Sequence, residues 1–368
     1  MTIALLYGGR STEHEVSLSS AAGVLKALVA LPDTEVELIG LDRDGVWYHQ
    51  TFDRQLDRAR SDRALEIETG DERRVVVLPA AGLALRGGRA LSVDCVLPIL
   101  HGSYGEDGTL QGLLEMAGLP YVGSGVVGSA VGMDKMRAKQ LWQDQGLPVV
   151  PYVHVQSWEI GDESARDHLD GVIHDRLGYP VFVKPNAAGS SVGITRVESS
   201  EGLFPALMRA FAIDRVALVE QALPVREIET AVLGNDDPIA FPPGEVIPSH
   251  QFYDYDAKYE DPEGARLEIP AAISPAVADD VRDLAVAAFR AIDAAGFARV
   301  DCFVVERPDG PAELYLNEIN TIPGFTPISM YPKMVEAGGI SYQDLLKRLI
   351  ELGIERYRDR ENRDFRAR

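Results

Sequence analysis

Apolar and polar positions along the first third of the chain follow the pattern of a repeated strand–helix unit. Apolar-rich runs at Thr2–Tyr7, Val36–Leu41 and Val93–Leu100 predict buried strands. From Leu18 to Leu28, apolar residues recur every three or four positions, which is typical of a helix with one buried face. Strands that alternate with helices predict a parallel, doubly wound α/β domain over roughly the first 130 residues.

A helix with a clear start and end follows this region. Asp134 can cap it, Met136, Leu141 and Trp142 form its predicted apolar side, and Gly146 ends it. The later pattern predicts, in chain order, a strand at 180–185, the small-residue loop Asn186–Gly193, strands near Thr195–Val197 and Val216–Glu220, a strand at Ile228–Leu233 and a helix at Val277–Ala294.

These elements predict an α/β and α+β chain of three domains. We place them at residues 1–133, 134–225 and 226–368. A length of 368 residues fits two or three domains of ordinary size. Residues after about 350, which are rich in Arg and Glu, predict a solvated tail.

Charge and composition exclude several classes of function. Lys and Arg total 36 against 57 Asp and Glu, a formal net charge of −21 that disfavours nucleic acid and anionic membrane surfaces as partners. No apolar run reaches the ~18 residues of a membrane span, and the N-terminus lacks the features of a secretory signal. Cys95 and Cys302 lie in predicted strands, so we expect buried free thiols in a reducing cytoplasm.

The C-terminal third contains a predicted hairpin with polar residues on one face. Its strands, Arg299–Val305 and Glu313–Asn320, flank a turn at 308–311. Because side chains alternate along a strand, we expect shared faces for Arg299, Asp301 and Phe303 and for Leu316, Glu318 and Asn320.

A hairpin that is symmetrical about its turn places Asp301 opposite Glu318 and Arg299 opposite Asn320. Two carboxylates and an amide oxygen form a hard oxygen site that suits Mg²⁺. The arginine beside them can hold a phosphoryl group or a developing oxyanion. The alternative is a salt-bridge cluster on a solvated face, but the turn-rich continuation Thr321–Thr326 would present backbone N–H groups there, which favours a site.

Three other segments carry candidate chemistry, and each has a structural alternative. Lys184 precedes the loop Asn186–Gly193, whose amides can approach phosphate oxygens, although this composition also suits an ordinary turn. Gly8–Glu15 lies at a strand-to-helix junction, where its two glutamates can hold an ammonium group or complement the helix dipole. Tyr253–Tyr259 suits either a loop that closes over a site or an exposed surface loop.

Taken together, these motifs resemble those of the D-alanine–D-alanine ligases of the ATP-grasp superfamily. The resemblance is collinear from about residue 3 to about residue 345, and it rests on Gly8-Gly9, Glu13–Ser17, His101–Thr109, Met133–Lys135, Lys184–Gly193, Tyr253–Tyr259 and Asn317–Gly324. It implies a three-domain ATP-grasp fold that binds ATP between the central and C-terminal domains. The chain departs from many relatives at 186–188, where no charged residue precedes Gly189.

The resemblance also implies a role for each matching residue. ATP would be bound by Lys135 and Lys184 at the phosphates, Glu220 at the adenine, Glu227 at the ribose, Ser190 in the glycine-rich loop and Lys258 in the mobile loop at about 248–264. Two Mg²⁺ ions, which Mn²⁺ can replace, would be bound by Asp301, Glu318 and Asn320. The substrates would be held by Glu13, with His101 nearby, and by Gly324, Ser329 and the Met330 amide, while Arg299, Ser190 and Tyr259 complete the catalytic set.

The implied activity is the ATP-dependent joining of two D-alanine molecules through an acyl phosphate, which gives ADP and phosphate and serves peptidoglycan synthesis. D-Lactate or D-serine as second substrate is the alternative within the family, and Tyr259 favours the D-alanine type. A non-catalytic ATP- or amino-acid-binding protein on the same fold is the alternative from another class. The resemblance further implies a cytoplasmic homodimer.

Overall fold

The computed structural model of the protein describes residues 1–248, 265–307, 310–327 and 329–363. The N-terminal elements are β1 (Thr2–Gly8), α1 (His14–Leu28), β2 (Glu35–Leu41), β3 (Trp47–His49), α2 (Phe52–Arg60), β4 (Val75–Leu78), β5 (Gly82–Leu85), β6 (Ala90–Leu91), β7 (Cys95–Ile99), α3 (Thr109–Ala117) and α4 (Val126–Met133). The next are α5 (Lys135–Asp144), β8 (Tyr152–Gln156), α6 (Glu163–Arg176), β9 (Val181–Pro185), β10 (Thr195–Val197), α7 (Ser200–Phe211) and β11 (Val216–Gln221). The last are β12 (Arg226–Gly234), β13 (Ile239–Ala240), β14 (Gly244–Pro248), β15 (Ala265–Glu268), α8 (Pro275–Ala291), β16 (Gly296–Val305), β17 (Glu313–Asn320), α9 (Met330–Ala337) and α10 (Tyr342–Glu361).

The N-terminal sheet has the strand order β3-β2-β1-β7, with β1 parallel to both of its neighbours. Residues of β1 alternate between two cores: Leu5 packs with α1 residues, and Leu6 packs with α3 residues. Helices therefore cover both faces of the sheet, as the doubly wound prediction requires. Loops after β1 and β7 carry the predicted Glu13 and His101, at the carboxyl ends of parallel strands, where ligands bind in such sheets.

A second, antiparallel sheet has the order β10-β9-β11-β8. Val183 and Val219 on its inner face pack against α6 and α7. Alternation along the strands therefore turns Lys184 and Glu220 to the other face, beside each other. The charged pair therefore lies on the face opposite the valine core.

The third sheet has the order β15-β14-β12-β16-β17, with β13 paired to β12. Its register confirms the predicted pairs Asp301–Glu318 and Arg299–Asn320. Towards the turn the pairing shifts by one residue, so that Cys302 faces Leu316, and the extra residue Asn317 forms a bulge.

The bulge corrects two details of the predicted hairpin. Leu316 packs in the same core as Cys302 and Ile319, so it lies on the opposite face from Glu318 rather than sharing its face. The assumption of pairing that is symmetrical about the turn is also wrong between Cys302 and Val305. The bulge restores the predicted register at the polar pairs.

Two further expectations need correction. The pattern predicts Leu141 on the apolar side of α5 with Met136 and Trp142, but Leu141 is 38% exposed while the other two are buried. Residues after 350 do not form a solvated tail up to Glu361, because α10 buries Leu352 and Arg360 forms an ion pair with Glu115 at 2.9 Å. The apolar residues of α10 recur at helical spacing among the charged ones, so the helix packs with one face on the N-terminal core.

The sheets share cores with elements from other parts of the chain. Trp142 of α5 packs in the core of the third sheet, and the α10 residues Leu345 and Leu349 pack with β1 and α1. The proposed boundaries at 133/134 and 225/226 therefore stay a prediction. Within the described ranges, no helix combines the length and the apolar composition that a membrane span requires.

Candidate active site

Three acidic residues occupy paired positions on neighbouring strands of the third sheet. Glu229 on β12 pairs with Asp301 on β16, which pairs in turn with Glu318 on β17. Arg299, one row along, donates from Nε to Asp301 Oδ1 and from Nη2 to Asp301 Oδ2, both at 2.7 Å. Arg299 Nε is also 3.2 Å from Glu229 Oε2, and Asn320 Nδ2 donates to Asp301 Oδ2 at 3.1 Å. The predicted metal and oxyanion residues are thus together on one face.

The electrostatics of this row favour a permanently charged arginine. Burial alone would lower the pKa of Arg299, but Asp301 and Glu229 raise it well above its usual value. The two carboxylates of Asp301 and Glu318 offer the oxygen donors that Mg²⁺ prefers, with Asn320 as a neutral third. Each carboxylate already contacts a cationic side chain, and among the described residues no group of three or more His, Cys, Asp or Glu side chains is close enough to form a metal site. The donor chemistry fits Mg²⁺, provided that it displaces these contacts.

A buried ion cluster lies on the face of the second sheet opposite Val183 and Val219. Glu220, which is 4% exposed, contacts Lys184 Nζ at 2.6 Å through Oε2 and Lys139 Nζ at 3.1 Å through Oε1. Burial alone would raise the pKa of Glu220, but the two ammonium groups outweigh it and lower that pKa. Lys139 is fully buried, and burial lowers its pKa to about 8. Lys184 also donates to Asn317 Oδ1 at 3.1 Å, which ties this cluster to the bulge of β17.

Lys135 joins the glycine-rich loop to the carboxylate row. As the first residue of α5, it is positioned by the N-cap of Asp134, whose Oδ1 accepts from the Arg137 amide at 2.9 Å. Its Nζ donates to the Ala188 carbonyl at 2.8 Å and lies 3.0 Å from Glu318 Oε2. The lysine predicted for phosphate contact therefore lies between the loop and the predicted metal ligands.

The glycine-rich loop reaches the N-terminal domain through Ser190. Its hydroxyl donates to Glu13 Oε1 at 2.7 Å. A Cβ at Gly102 would lie 2.7 Å from Glu13 Oε2, and one at Gly189 would lie 3.5 Å from it, so both glycines pack close around the carboxylate. Ser190 and Ser191 both have φ above +50°, an uncommon backbone conformation for residues with a side chain. The structure thus brings Glu13 and Ser190, two of the predicted site residues, into direct contact.

His101 and Glu106 hold the segment after β17 through the two backbone groups of one residue, Ile322. His101 Nδ1 is 2.9 Å from the Ile322 carbonyl, and the Ile322 amide donates to Glu106 Oε2 at 2.8 Å. The Gly102 amide donates to Glu106 Oε1 at 2.9 Å. Burial lowers the pKa of His101, which favours the neutral ring with its proton on Nδ1. Burial, with the nearby Glu13 charge, raises the pKa of Glu106 to about 8.

The predicted second-substrate residues lie beyond this clamp. A Cβ at Gly324 would be 3.3 Å from Ser329 Oγ, so the two residues are adjacent. Ser329 Oγ accepts from the Thr326 amide at 3.1 Å, and Met330 begins α9. The Met330 amide therefore lies at a helix N-terminus, which favours an anionic group.

The remaining predicted site residues are Glu227, Lys258 and Tyr259. Glu227 lies on the same face of β12 as Glu229, two residues away, and is exposed. Lys258 and Tyr259, with nearly all of the segment 248–264, lie outside the described residues.

The sequence reasoning missed four residues of the network. Lys139 follows Lys135 by four positions on α5, and Glu229 follows Glu227 by two positions on β12, so helical and strand periodicity could have identified both. Glu106 lies within the motif His101–Thr109, in which the resemblance assigns a role only to His101. Asn317 is positioned by the bulge, for which the sequence carries no clear signal.

Two family models together match most of the chain. Residues 2–124 match the family model described as D-ala D-ala ligase N-terminus, and residues 141–351 match the D-ala D-ala ligase C-terminus. The D-alanine–D-alanine ligase of Heliobacterium modesticaldum is 46% identical over 368 residues, covering 98% of this chain and 96% of the relative. That of Treponema denticola is 42% identical over 363 residues, with 97% of each chain covered.

Solved structures extend the comparison to the fold. The D-alanine–D-alanine ligase of Coxiella burnetii superposes with a TM-score of 0.83 at 36% identity, covering 98% of this chain and 96% of that one. The VanG D-Ala:D-Ser ligase of Enterococcus faecalis gives 0.81 at 36% identity, with 96% and 99% covered. The chain belongs to the D-alanine–D-alanine ligase family, with the ATP-grasp architecture.

Proposed function

We propose that the protein joins two D-alanine molecules with ATP, forming D-alanyl-D-alanine, ADP and phosphate for peptidoglycan synthesis. The observation that carries the proposal is the position of Lys135, which contacts both the glycine-rich loop and Glu318. This arrangement supports a nucleotide whose phosphates lie between the loop amides and the carboxylate row. Family membership, with curated relatives named as these ligases over nearly the whole chain, supports the same reaction.

ATP binding would use the lysines of the second sheet and of α5. A triphosphate in the cleft gives Lys135 and Lys184 a new anionic partner in place of a protein oxygen. We propose that Glu220 and Glu227 contact the adenine and ribose, and that Lys258 contacts the phosphates. Both Glu220 oxygens face lysines, so an adenine amino group would share Oε1 or Oε2 with one of them.

The first D-alanine would lie beside Glu13, with its ammonium group on the carboxylate that Ser190 contacts. Its own carboxylate then attacks the γ-phosphorus of ATP, the bond to the β,γ-bridging oxygen breaks, and an acyl phosphate forms as ADP leaves. The loop that carries Tyr259 would close and exclude water, which would otherwise hydrolyse this product. His101 would act by holding the Ile322 peptide beside this position.

In the second step, the neutral amine of the second D-alanine attacks the acyl carbon. Arg299 and the Gly324 amide would stabilise the tetrahedral oxyanion, and phosphate then leaves. Ser329 and the Met330 amide would hold the carboxylate of the incoming amino acid, next to Gly324.

We propose that two Mg²⁺ ions bind at Asp301, Glu318 and Asn320. Bound there, they would neutralise the charge that develops on the transferred phosphoryl group, and Mn²⁺ would serve as a substitute. The proposal rests on the oxygen donors that the hairpin register places together.

The second candidate is a ligase that uses D-serine or D-lactate as second substrate. The structural likeness to a D-Ala:D-Ser ligase of Enterococcus faecalis favours D-serine within this group. Selection of the second substrate would be made near Ser329 and Tyr259.

A coupled assay with ATP, MgCl₂ and D-alanine tests both candidates. The D-alanine proposal predicts phosphate release that depends on D-alanine, with the dipeptide detected by mass spectrometry. Turnover that requires D-serine or D-lactate would favour the second candidate. Binding of ATP without turnover with any of these substrates would favour a non-catalytic protein.

We also propose a cytoplasmic homodimer. The two buried free cysteines, Cys95 and Cys302, support a reducing compartment, where ATP is also available. Analytical ultracentrifugation tests the dimer, with an expected mass of twice 40.1 kDa.

A further inference from the structure

The carboxylate row contains one acid, Glu229, that neither the motifs nor the proposed reaction uses. Its Cα pairs with that of Asp301, and its side chain is 13% exposed. Glu229 Oε2 lies 3.2 Å from Arg299 Nε, on the guanidinium edge that also donates to Asp301 Oδ1. Arg299 is therefore held between two carboxylates from neighbouring strands.

Asp301 cannot hold Arg299 and a divalent cation equally well. Arg299 occupies both Asp301 oxygens at 2.7 Å, and Asn320 adds a third bond to Oδ2. A Mg²⁺ ion binds carboxylate oxygen at about 2.0–2.1 Å and repels a guanidinium on the same carboxylate. Metal binding at Asp301 thus weakens the contacts that orient Arg299.

We propose that Glu229 is a positioning residue, which holds the Arg299 guanidinium on the sheet face when a divalent cation takes over Asp301. This inference rests on the proposed function, in which Arg299 stabilises the oxyanion after the metal-dependent first step. Glu229 lies on the side of Asp301 away from Glu318. A cation held by Asp301 and Glu318 would therefore not compete with Arg299 for Glu229. Asp301 and Glu318 would then bind the metal, and Glu229 would hold Arg299.

NMR of ¹⁵N-arginine-labelled protein tests this without turnover. The Nε–H signal of Arg299, assigned with Arg299→Lys, is expected to persist in the wild type after MgCl₂ and ADP are added. In Glu229→Gln we expect the Arg299 Nε–H signal to be present without Mg²⁺ and to be lost, through exchange with solvent, once Mg²⁺ and ADP are added. Persistence in Glu229→Gln, or loss in the wild type, would overturn the proposal. Glu313→Gln, which breaks the exposed Arg307–Glu313 pair of the same hairpin, is the control and leaves the signal unchanged.

Kinetics provide the second readout, at saturating Mg²⁺. A misplaced catalytic group costs up to about 100-fold, so we expect Glu229→Gln to lower kcat about 10- to 100-fold, with the KM for ATP nearly unchanged. Glu229→Asp, which keeps the charge, should recover part of this loss. In an Arg299→Lys background, Glu229→Gln should change kcat less than about twofold, because the arginine through which Glu229 acts is already replaced. Additive effects would contradict the proposal, whereas a wild type without ligase activity but with the predicted NMR response would refute only the proposed function.

Discussion

The buried cluster around Glu220 offers a quantitative test of the second sheet. Glu220→Gln leaves the ammonium groups of Lys139 and Lys184 without their shared carboxylate, in a place where the lysine side chains are 0% and 7% exposed. Removing one partner of a buried ion pair typically costs about 3–5 kcal/mol. Because domains are stable by only about 5–15 kcal/mol, this substitution should lower the urea midpoint strongly.

The size of the effect depends on how many charges remain. Lys139→Met leaves Glu220 paired with Lys184, so we expect a smaller cost of about 1–3 kcal/mol. In the double variant, one buried ammonium is removed along with the carboxylate. Its destabilisation should therefore be smaller than the sum of the two single effects by about 1–3 kcal/mol.

Urea unfolding followed by circular dichroism at pH 7 measures all three variants. Glu198→Gln is the matched control, because it removes a carboxylate from the exposed Arg196–Glu198 pair and should cost about 1 kcal/mol or less. Additive effects of the two single substitutions, or a cost for Glu220→Gln equal to that of the control, would refute the buried-cluster reasoning.

Three other predictions concern the cleft. Arg299→Ala should lower kcat by about 10²–10³ while circular dichroism stays native, and unchanged kcat would exclude an oxyanion role. Glu318→Gln should raise the Mg²⁺ concentration for half-maximal turnover, and a normal metal titration would contradict the hairpin site. Glu106 has its pKa raised by burial from 4.5 to about 8, so the folded protein keeps a proton that the unfolded chain releases. As the pH rises between these values, the free energy of unfolding of the wild type should therefore fall by about 1.4 kcal/mol per pH unit relative to that of Glu106→Gln. Urea unfolding at several pH values measures this difference, and parallel pH profiles of the two proteins would disprove it.

Alternation and a short turn predicted the polar pairs of the hairpin, and these pairs hold because the bulge offsets the shifted pairing next to the turn. The pairing of Asp301 with Glu318 followed from that reasoning, but the face of Leu316 did not. One extra residue in a strand reverses every side chain beyond it, and the bulge at Asn317 places Leu316 in the core that α8 shares.

The sequence was least informative where long-range packing gives a residue its role. A helical lysine is normally solvated, so Lys139 became part of the site only once α5 was packed against β17. Glu106 contacts Ile322, which lies 216 residues further along the chain. Leu352 lies in an Arg- and Glu-rich segment, so its burial could not be predicted without the N-terminal core against which the segment packs.

Transfer of a labelled oxygen tests the central claim most directly. D-Alanine labelled with ¹⁸O in its carboxylate is incubated with the protein, ATP and MgCl₂, and the products are analysed by mass spectrometry. Attack of the carboxylate on the γ-phosphate, followed by amine attack on carbon, predicts one ¹⁸O in each phosphate released and one lost from each dipeptide. Unlabelled phosphate, or ATP hydrolysis without dipeptide, would contradict the account.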